Sequence, residues 1–262
     1  MAKSKAPVSV SPEQSTKLFR LNLGIGLAHL VQAIAMFALS NDLAIPITAD
    51  FLDNDPVAVL QGGGQVEPTT VFEFPVGPAV AFFLLLAAID HLLSAGPFRA
   101  RYENQLRQGR NDLRWTEYSV SASLMLVLIA VFVGIWDLAA LIALFGLNTT
   151  MIWFGALQER SVRPGKGNSR LPFWFGTAAG VIPWVVIGIY LLQDSGAVPT
   201  FVFVLYAVEL LFFWSFGLTQ WLQYRQVRRW KDYLAGERTY IWLSIGAKSA
   251  LAWLIFGNVL RS

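Results

Sequence analysis

The stretch "YIWLSIGAKSALAWLIFGNVL", residues 240–260, decides the fold. It is close to the ~20 residues that an α-helix needs to cross a bilayer, and nearly every side chain in it is apolar. Its one formal charge, Lys248, lies near the middle, where an ammonium group costs roughly a few kcal/mol or more. A lysine so placed needs a partner or a job. Two readings stay open on these residues alone. One is a structural lysine paired with a carboxylate. The other is an amine that burial keeps neutral, free to form an imine with a carbonyl compound. Such an imine, once protonated, still needs a negative counterion.

Working outward, similar apolar runs recur at 18–40, 75–96, 115–135, 138–157, 171–193 and 198–223. The chain of 262 residues is 55% hydrophobic and 14% charged, with 10 Trp and 19 Phe, less charge than a soluble domain carries. A lone span in lipid must satisfy its own backbone, so each run is predicted as a helix. The expected fold class is an all-α membrane protein, a seven-transmembrane-helix bundle forming one domain over 18–262. Residues 1–17 of "MAKSKAPVSVSPEQSTKLFR" read as a short cytosolic tail, because no apolar core and small-residue cleavage site follow the basic residues. The long linker 41–74 alternates in "VAVL" and "TTVFEF" around Gly62–Gly64, which predicts a β-hairpin lying on the membrane. No internal repeat stands out, so the inverted-repeat architecture of secondary transporters has little support. Absence of cysteine excludes disulfides and thiolate metal sites.

Charge sets the expected orientation. All of the 20 Lys and Arg except Lys248 and Arg261 fall in the N-terminal segment or in the second, fourth and sixth linkers. If seven spans alternate, these lie on one side. The opposite side collects Asp42, Asp50, Asp53, Asp55, Glu67, Glu73, Asp137 and Asp194. The positive-inside rule then places a multi-pass protein in the cell membrane with its N-terminus cytoplasmic and its C-terminus extracellular. A nucleic-acid partner is not expected, since the bases are divided among linkers and no basic domain exists to carry them.

Inside the spans the ionisable residues are His29, Asp90, His91, Glu117, Glu209 and Lys248. Glu117, in "RWTEYSVSASLMLVLIA", is the candidate counterion for Lys248, with Ser121 one turn later on the same face. Arg114, one turn earlier, offers Glu117 a competing pairing at the membrane edge. Ser244 lies one turn before the lysine. His29 and His91 sit on the first two spans, either as satisfied core residues or as a pair sharing a proton with water. Metal ligation needs a third ligand at suitable spacing, and none is evident. Trp174, Trp184, Phe212, Phe213, Trp214 and Phe216 are core or lipid-interface rings, some of which could wall a flat conjugated ligand. Pro183 is expected to kink the fifth span and open space for one.

A lysine midway along the last of seven helices with a glutamate in the third resembles the microbial rhodopsins, and more closely the heliorhodopsins. The blocks that carry this are "HLVQAIAMFALSNDLAIPIT", "RWTEYSVSAS", "LFGLNTTMIWFGALQE", "LPFWFG", "YLAGERTYIWLS" and "AKSALAW". They extend over nearly the whole chain after about residue 17. The resemblance implies the rhodopsin-type bundle with inverted topology, the N-terminus being cytoplasmic. It implies all-trans retinal on Lys248 as a protonated Schiff base with Glu117 as counterion, light-driven isomerisation to 13-cis, and a slow photocycle. It places Tyr118, Ser121, Asn148, Met151, Ile152, Trp174, Phe213, Gln220, Ser244 and Trp253 around the chromophore. It puts His29 and His91 in a polar cluster associated with the released proton, and Glu159 and Tyr233 in a network on the cytoplasmic side. It further implies a homodimer, to which the 41–74 hairpin could contribute. The expected function is a photoreceptor signalling to an unidentified cytoplasmic partner, neither enzyme nor pump. Ser244 and Leu128 stand where proton pumps carry carboxylates. Glu209 fits no part of this pattern, and as a relay residue it would favour light-driven or light-gated proton transport instead.

Overall fold

The computed structural model describes residues 8–50, 57, 61, 68–161, 169–193 and 198–261. Among these are seven helices long and apolar enough to cross a membrane. They are α1 (Pro12–Leu39), α2 (Val76–Ala95), α4 (Asp112–Phe132), α5 (Leu138–Ser161), α6 (Leu171–Gln193), α7 (Thr200–Tyr224) and α8 (Tyr233–Ile255). A short helix α3 (Arg99–Arg107) follows α2, a 3₁₀ turn (Arg228–Lys231) precedes α8, and a π-turn (Phe256–Leu260) ends it. The expected seven-helix, rhodopsin-type bundle is therefore observed.

Local chemistry sets the helix starts. Ser11 accepts from the Gln14 amide while the Gln14 side chain accepts from Ser11, and Pro12 begins the helix where a missing N–H costs nothing. Asn111 caps α4 through the Arg114 amide, and Asp232 caps α8 through that of Leu234. Two starts differ from the apolar runs. α1 begins ahead of Leu18, and α8 begins at Tyr233 and not near residue 240. Lys248 consequently lies deeper along its helix than the apolar run suggested. α6 continues through Pro183, which is buried within it.

The strand pairing also differs from expectation. "TTVFEF" does form a strand, β2 (Thr69–Pro75), but its antiparallel partner is β1 (Ala44–Ala49), with Ile45 opposite Phe74 and a register shift after Ile47. Gly62–Gly64 and most of "VAVL" lie outside the described residues. Short length and Pro46 hid β1, whereas the pairing leaves proline on a two-stranded ribbon where no second neighbour needs its N–H. Single bridges join Thr48 to Asp137 and Ser40 to Arg261, so the sheet closes one end of the bundle.

The core differs along the bundle axis. At the sheet end a large cluster includes Met36, Ile47, Phe83, Leu126–Val131, Leu205 and Ile255. At the opposite end Leu18, Tyr102, Leu106, Leu234 and Ile241 form a smaller one. α4 runs through the middle and is the most buried span, while α7 shows most of its surface outward.

Candidate functional site

A cavity lies between α4, α5, α6, α7 and α8. It is partly open and lined mostly by apolar side chains, as a site for an apolar organic ligand would be. Its walls are mainly aromatic and aliphatic: Phe83, Tyr118, Met125, Met151, Ile152, Phe212, Phe213 and Phe216, with Lys248 among them. Two glycines let these walls approach one another. A Cβ on Gly180 would stand 2.5 Å from the Met151 sulfur, and one on Gly155 would stand 2.6 Å from the Trp115 ring. Side chains at either place would displace a wall residue.

Lys248 is buried, yet its amine is not alone. Nζ donates to Ser244 Oγ at 3.1 Å and lies 3.4 Å from Glu117 Oε1. The Tyr118 and Phe83 rings lie 4.9 and 5.7 Å from it, with their faces available to a cation. Of the two pairings open to Glu117, the structure has the one with Lys248. Arg114 turns instead to Glu237 and Glu159, the latter at 2.7 Å. One helical turn separates Arg114 from Glu117, and the two side chains diverge to different partners.

In that second cluster both carboxylates are fully engaged, while Arg114 Nε and the Tyr240 hydroxyl have no hydrogen-bond partner. Glu159 accepts from the Asn111 backbone amide at 3.0 Å, Trp115 Nε1 at 2.6 Å and the Tyr233 hydroxyl at 3.1 Å. Glu237 accepts from Tyr102 and from the Asn111 side chain at 3.0 and 2.8 Å. The Arg114 guanidinium also stacks 4.2 Å over Tyr240. Sequence reasoning found Glu159 and Tyr233 but missed Glu237, Tyr102 and Asn111. The available signal was Glu237 in "YLAGERTY", a carboxylate one turn inside the real helix that had been assigned to a linker.

The remaining expected site residues divide. Tyr118, Met151, Ile152, Phe213 and Gln220 line the cavity. Ser121 and Asn148 are buried but do not line it, Asn148 donating to Ser123 at 3.1 Å. Trp174 and Trp253, expected at the chromophore, lie elsewhere. Trp174 is 55% exposed and turned edge-on to Phe173, which takes the wall position. Trp253 is 45% exposed and donates to Gln32 at 2.9 Å on the outer face of α1 and α8. Adjacent residues on a helix point about 100° apart, so one place in register moves a ring from cavity to lipid. His29 and His91 stack with centroids 5.9 Å apart, and His91 Nδ1 pairs with Asn22 Oδ1 at 2.8 Å. Asp90, His91 and Glu117 do not form a three-ligand metal group, and no such group occurs among the described residues.

Seven apolar helices around a cavity with a buried lysine facing a carboxylate define a membrane protein of the rhodopsin type. A family model described as Heliorhodopsin matches residues 18–260, and the chain belongs to the heliorhodopsin family. Membership implies a retinal-binding photoreceptor. No curated protein matches the chain. The residues fit retinal: the apolar, aromatic-walled space suits a conjugated chain, and the amine inside it suits a carbonyl end group.

Proposed function

We propose that this protein is a light sensor carrying all-trans retinal on Lys248, with Glu117 as the counterion, and that it signals by conformational change without net ion pumping. The observation that carries this is the buried Lys248–Glu117 pair, whose 3.4 Å separation lies beside an apolar cavity. When bound as an imine of Lys248, retinal supplies the visible chromophore and its light-driven change from all-trans to 13-cis.

The chain's own residues supply the rest. Lys248 provides the attachment nitrogen, and Ser244 accepts its hydrogen bond and fixes its direction. Glu117 holds positive charge on that nitrogen, because an unpaired cation in this apolar setting is strongly disfavoured. Phe213, Met151 and Ile152 confine the polyene and exclude water. The stacked His29 and His91 receive the proton that light releases from the nitrogen. Absence of a carboxylate at Ser244 and Leu128 leaves no relay for vectorial transport. Basic linkers orient the N-terminus to the cytoplasm, and assembly as a homodimer with an unidentified cytoplasmic partner follows the family resemblance.

The test is reconstitution of wild type, Lys248→Ala and Glu117→Gln with all-trans retinal. Wild type is expected to gain a visible band and Lys248→Ala to gain none. Glu117→Gln is expected to shift the band strongly to the red and to lose it at a lower pH than wild type. Covalent retinal in Lys248→Ala would falsify the assignment.

A further inference from the structure

Among the described residues that line the cavity, Glu209 is the only carboxylic acid. It is 0% exposed, and neither oxygen has a hydrogen-bond partner. The Leu251 amide faces it from α8 without reaching hydrogen-bond geometry. Its neighbours along α7 are Leu205, Tyr206, Phe212 and Phe213, and Tyr206 gives its hydroxyl to the Trp184 carbonyl instead. An ionised carboxylate without donors in such a place is too costly to persist.

Charge balance leads to the same state. The nearby cation, Lys248, is already matched by Glu117, and a second anion would leave the apolar cavity with uncompensated charge. Position then gives the acid a use. Glu117 lies in the first half of α4, at the Arg114 end of the bundle. Glu209 lies in the first half of the antiparallel α7 and faces Leu251, one turn beyond Lys248 toward the sheet end. Asp90 and His91 on α2 and His29 on α1 are the other titratable groups within electrostatic reach of Lys248.

We propose that Glu209 is a neutral carboxylic acid in the resting protein and a second proton-exchange partner of the Lys248 nitrogen, working from the α7 side while the His29–His91 pair works from α1 and α2. This rests on the reading of Lys248 as the retinal anchor. After the nitrogen has given its proton to the His29–His91 pair, the Glu209 O–H bond breaks and an N–H bond forms at that nitrogen. The histidine pair then holds the proton that the nitrogen lost, Glu209 is an anion beside Glu117, and the summed charge of the nitrogen, the two carboxyl groups and the histidine pair is unchanged. Leu205 and Leu210, on either side of Glu209 along α7, share one apolar cluster with Leu126–Val131 of α4, so the proton goes back by the route it came. The result is a closed shuttle that speeds the return of a proton to the nitrogen without moving charge across the membrane.

Infrared spectra of the apoprotein test the resting state without chromophore. Wild type labelled with 13C-glutamate is expected to show a label-sensitive carbonyl band of a protonated carboxylic acid, and Glu209→Gln is expected to lack it. If the wild-type band shows no label sensitivity, or if the variant keeps it unchanged, the proposal is overturned. The labelled wild type decides this even where the variant folds poorly. Failure of the retinal reading looks different, since no visible band would form while the apoprotein spectra still held. With all-trans retinal, flash photolysis of Glu209→Gln is expected to show return of the proton to the nitrogen slowed on the order of 100-fold, with Glu209→Asp restoring part of it. An unchanged return overturns the shuttle. So does a light-driven pH change across wild-type vesicles that Glu209→Gln abolishes, because that is transport.

Discussion

The two ends of the bundle treat buried charge in opposite ways. At the end where α4 and α8 begin, Arg114 binds two carboxylates at once, and each of these has at least two further donors. Toward the sheet end, α4 buries Leu126–Val131 without a polar side chain, and Glu209 stands nearby with no hydrogen-bond partner. Burial alone therefore does not say whether a charge survives; the number of fixed partners does. The first end acts as a clamp. It registers α4 against α8 one turn from Glu117 and about three turns from Lys248, which fixes the distance between the two groups that matter most. The second end is left apolar, so a lone acid there stays neutral.

The largest effect should come from breaking the clamp. Arg114→Met leaves Glu159 and Glu237 buried without their shared cation, and loss of one partner of a buried pair costs about 3–5 kcal/mol. Thermal unfolding of the apoprotein in detergent is expected to show that loss, and adding Glu237→Gln is expected to recover part of it. A variant as stable as wild type would mean that the clamp contributes only geometry. Glu209→Leu probes the contrasting end. Removing a neutral, unpartnered acid from an apolar wall is expected to alter stability by less than about 1 kcal/mol, or to raise it. A loss comparable to that of Arg114→Met would show that Glu209 is ionised and paired, and the contrast between the ends would collapse.

The same contrast explains what the sequence disclosed. Spans are legible because lipid demands long apolar runs, and Lys248 is legible because it interrupts one. Glu117 could be named but not assigned, since Arg114 and Lys248 both lay within reach of it on paper. Glu237 was hidden by its own neighbours: "GERTY" has the polarity of a linker, and only Arg114, 123 positions away in sequence, makes it a helix interior. Register at the cavity wall was hidden too. "FWF" at 173–175 offers three rings, and nothing local says that Phe173 and not Trp174 faces inward. The strand β1 escaped because a six-residue segment with a central proline has little pattern of its own.

A smaller, exposed version of the clamp gives the finest test. Glu103 on α3 accepts from Ser15 of α1 at 2.5 Å and from Arg99 at 2.9 Å, with Arg107 at 3.8 Å. Partial burial pushes its carboxyl up, but the Ser15 hydroxyl and the two guanidinium groups outweigh that and hold it below the usual glutamate range. A carboxyl lowered on folding stabilises the protein fully above its unfolded-state value, and that contribution is lost as pH falls through the folded one. The stability of wild type relative to Glu103→Gln is therefore expected to be greatest near neutral pH and to vanish in acid. Its size should be no more than about 1 kcal/mol, as for other partly exposed ion pairs, and smaller in high salt. Melting curves of the two proteins across pH measure it. A difference that persists in acid would mean that Glu103 holds α1 to α3 through its hydrogen bond from Ser15, which glutamine can replace only in part, and that charge is incidental there. In that case the clamped end of the bundle would owe its rigidity to donor count more than to ion pairing, and Arg114→Met paired with Glu237→Gln would recover correspondingly little.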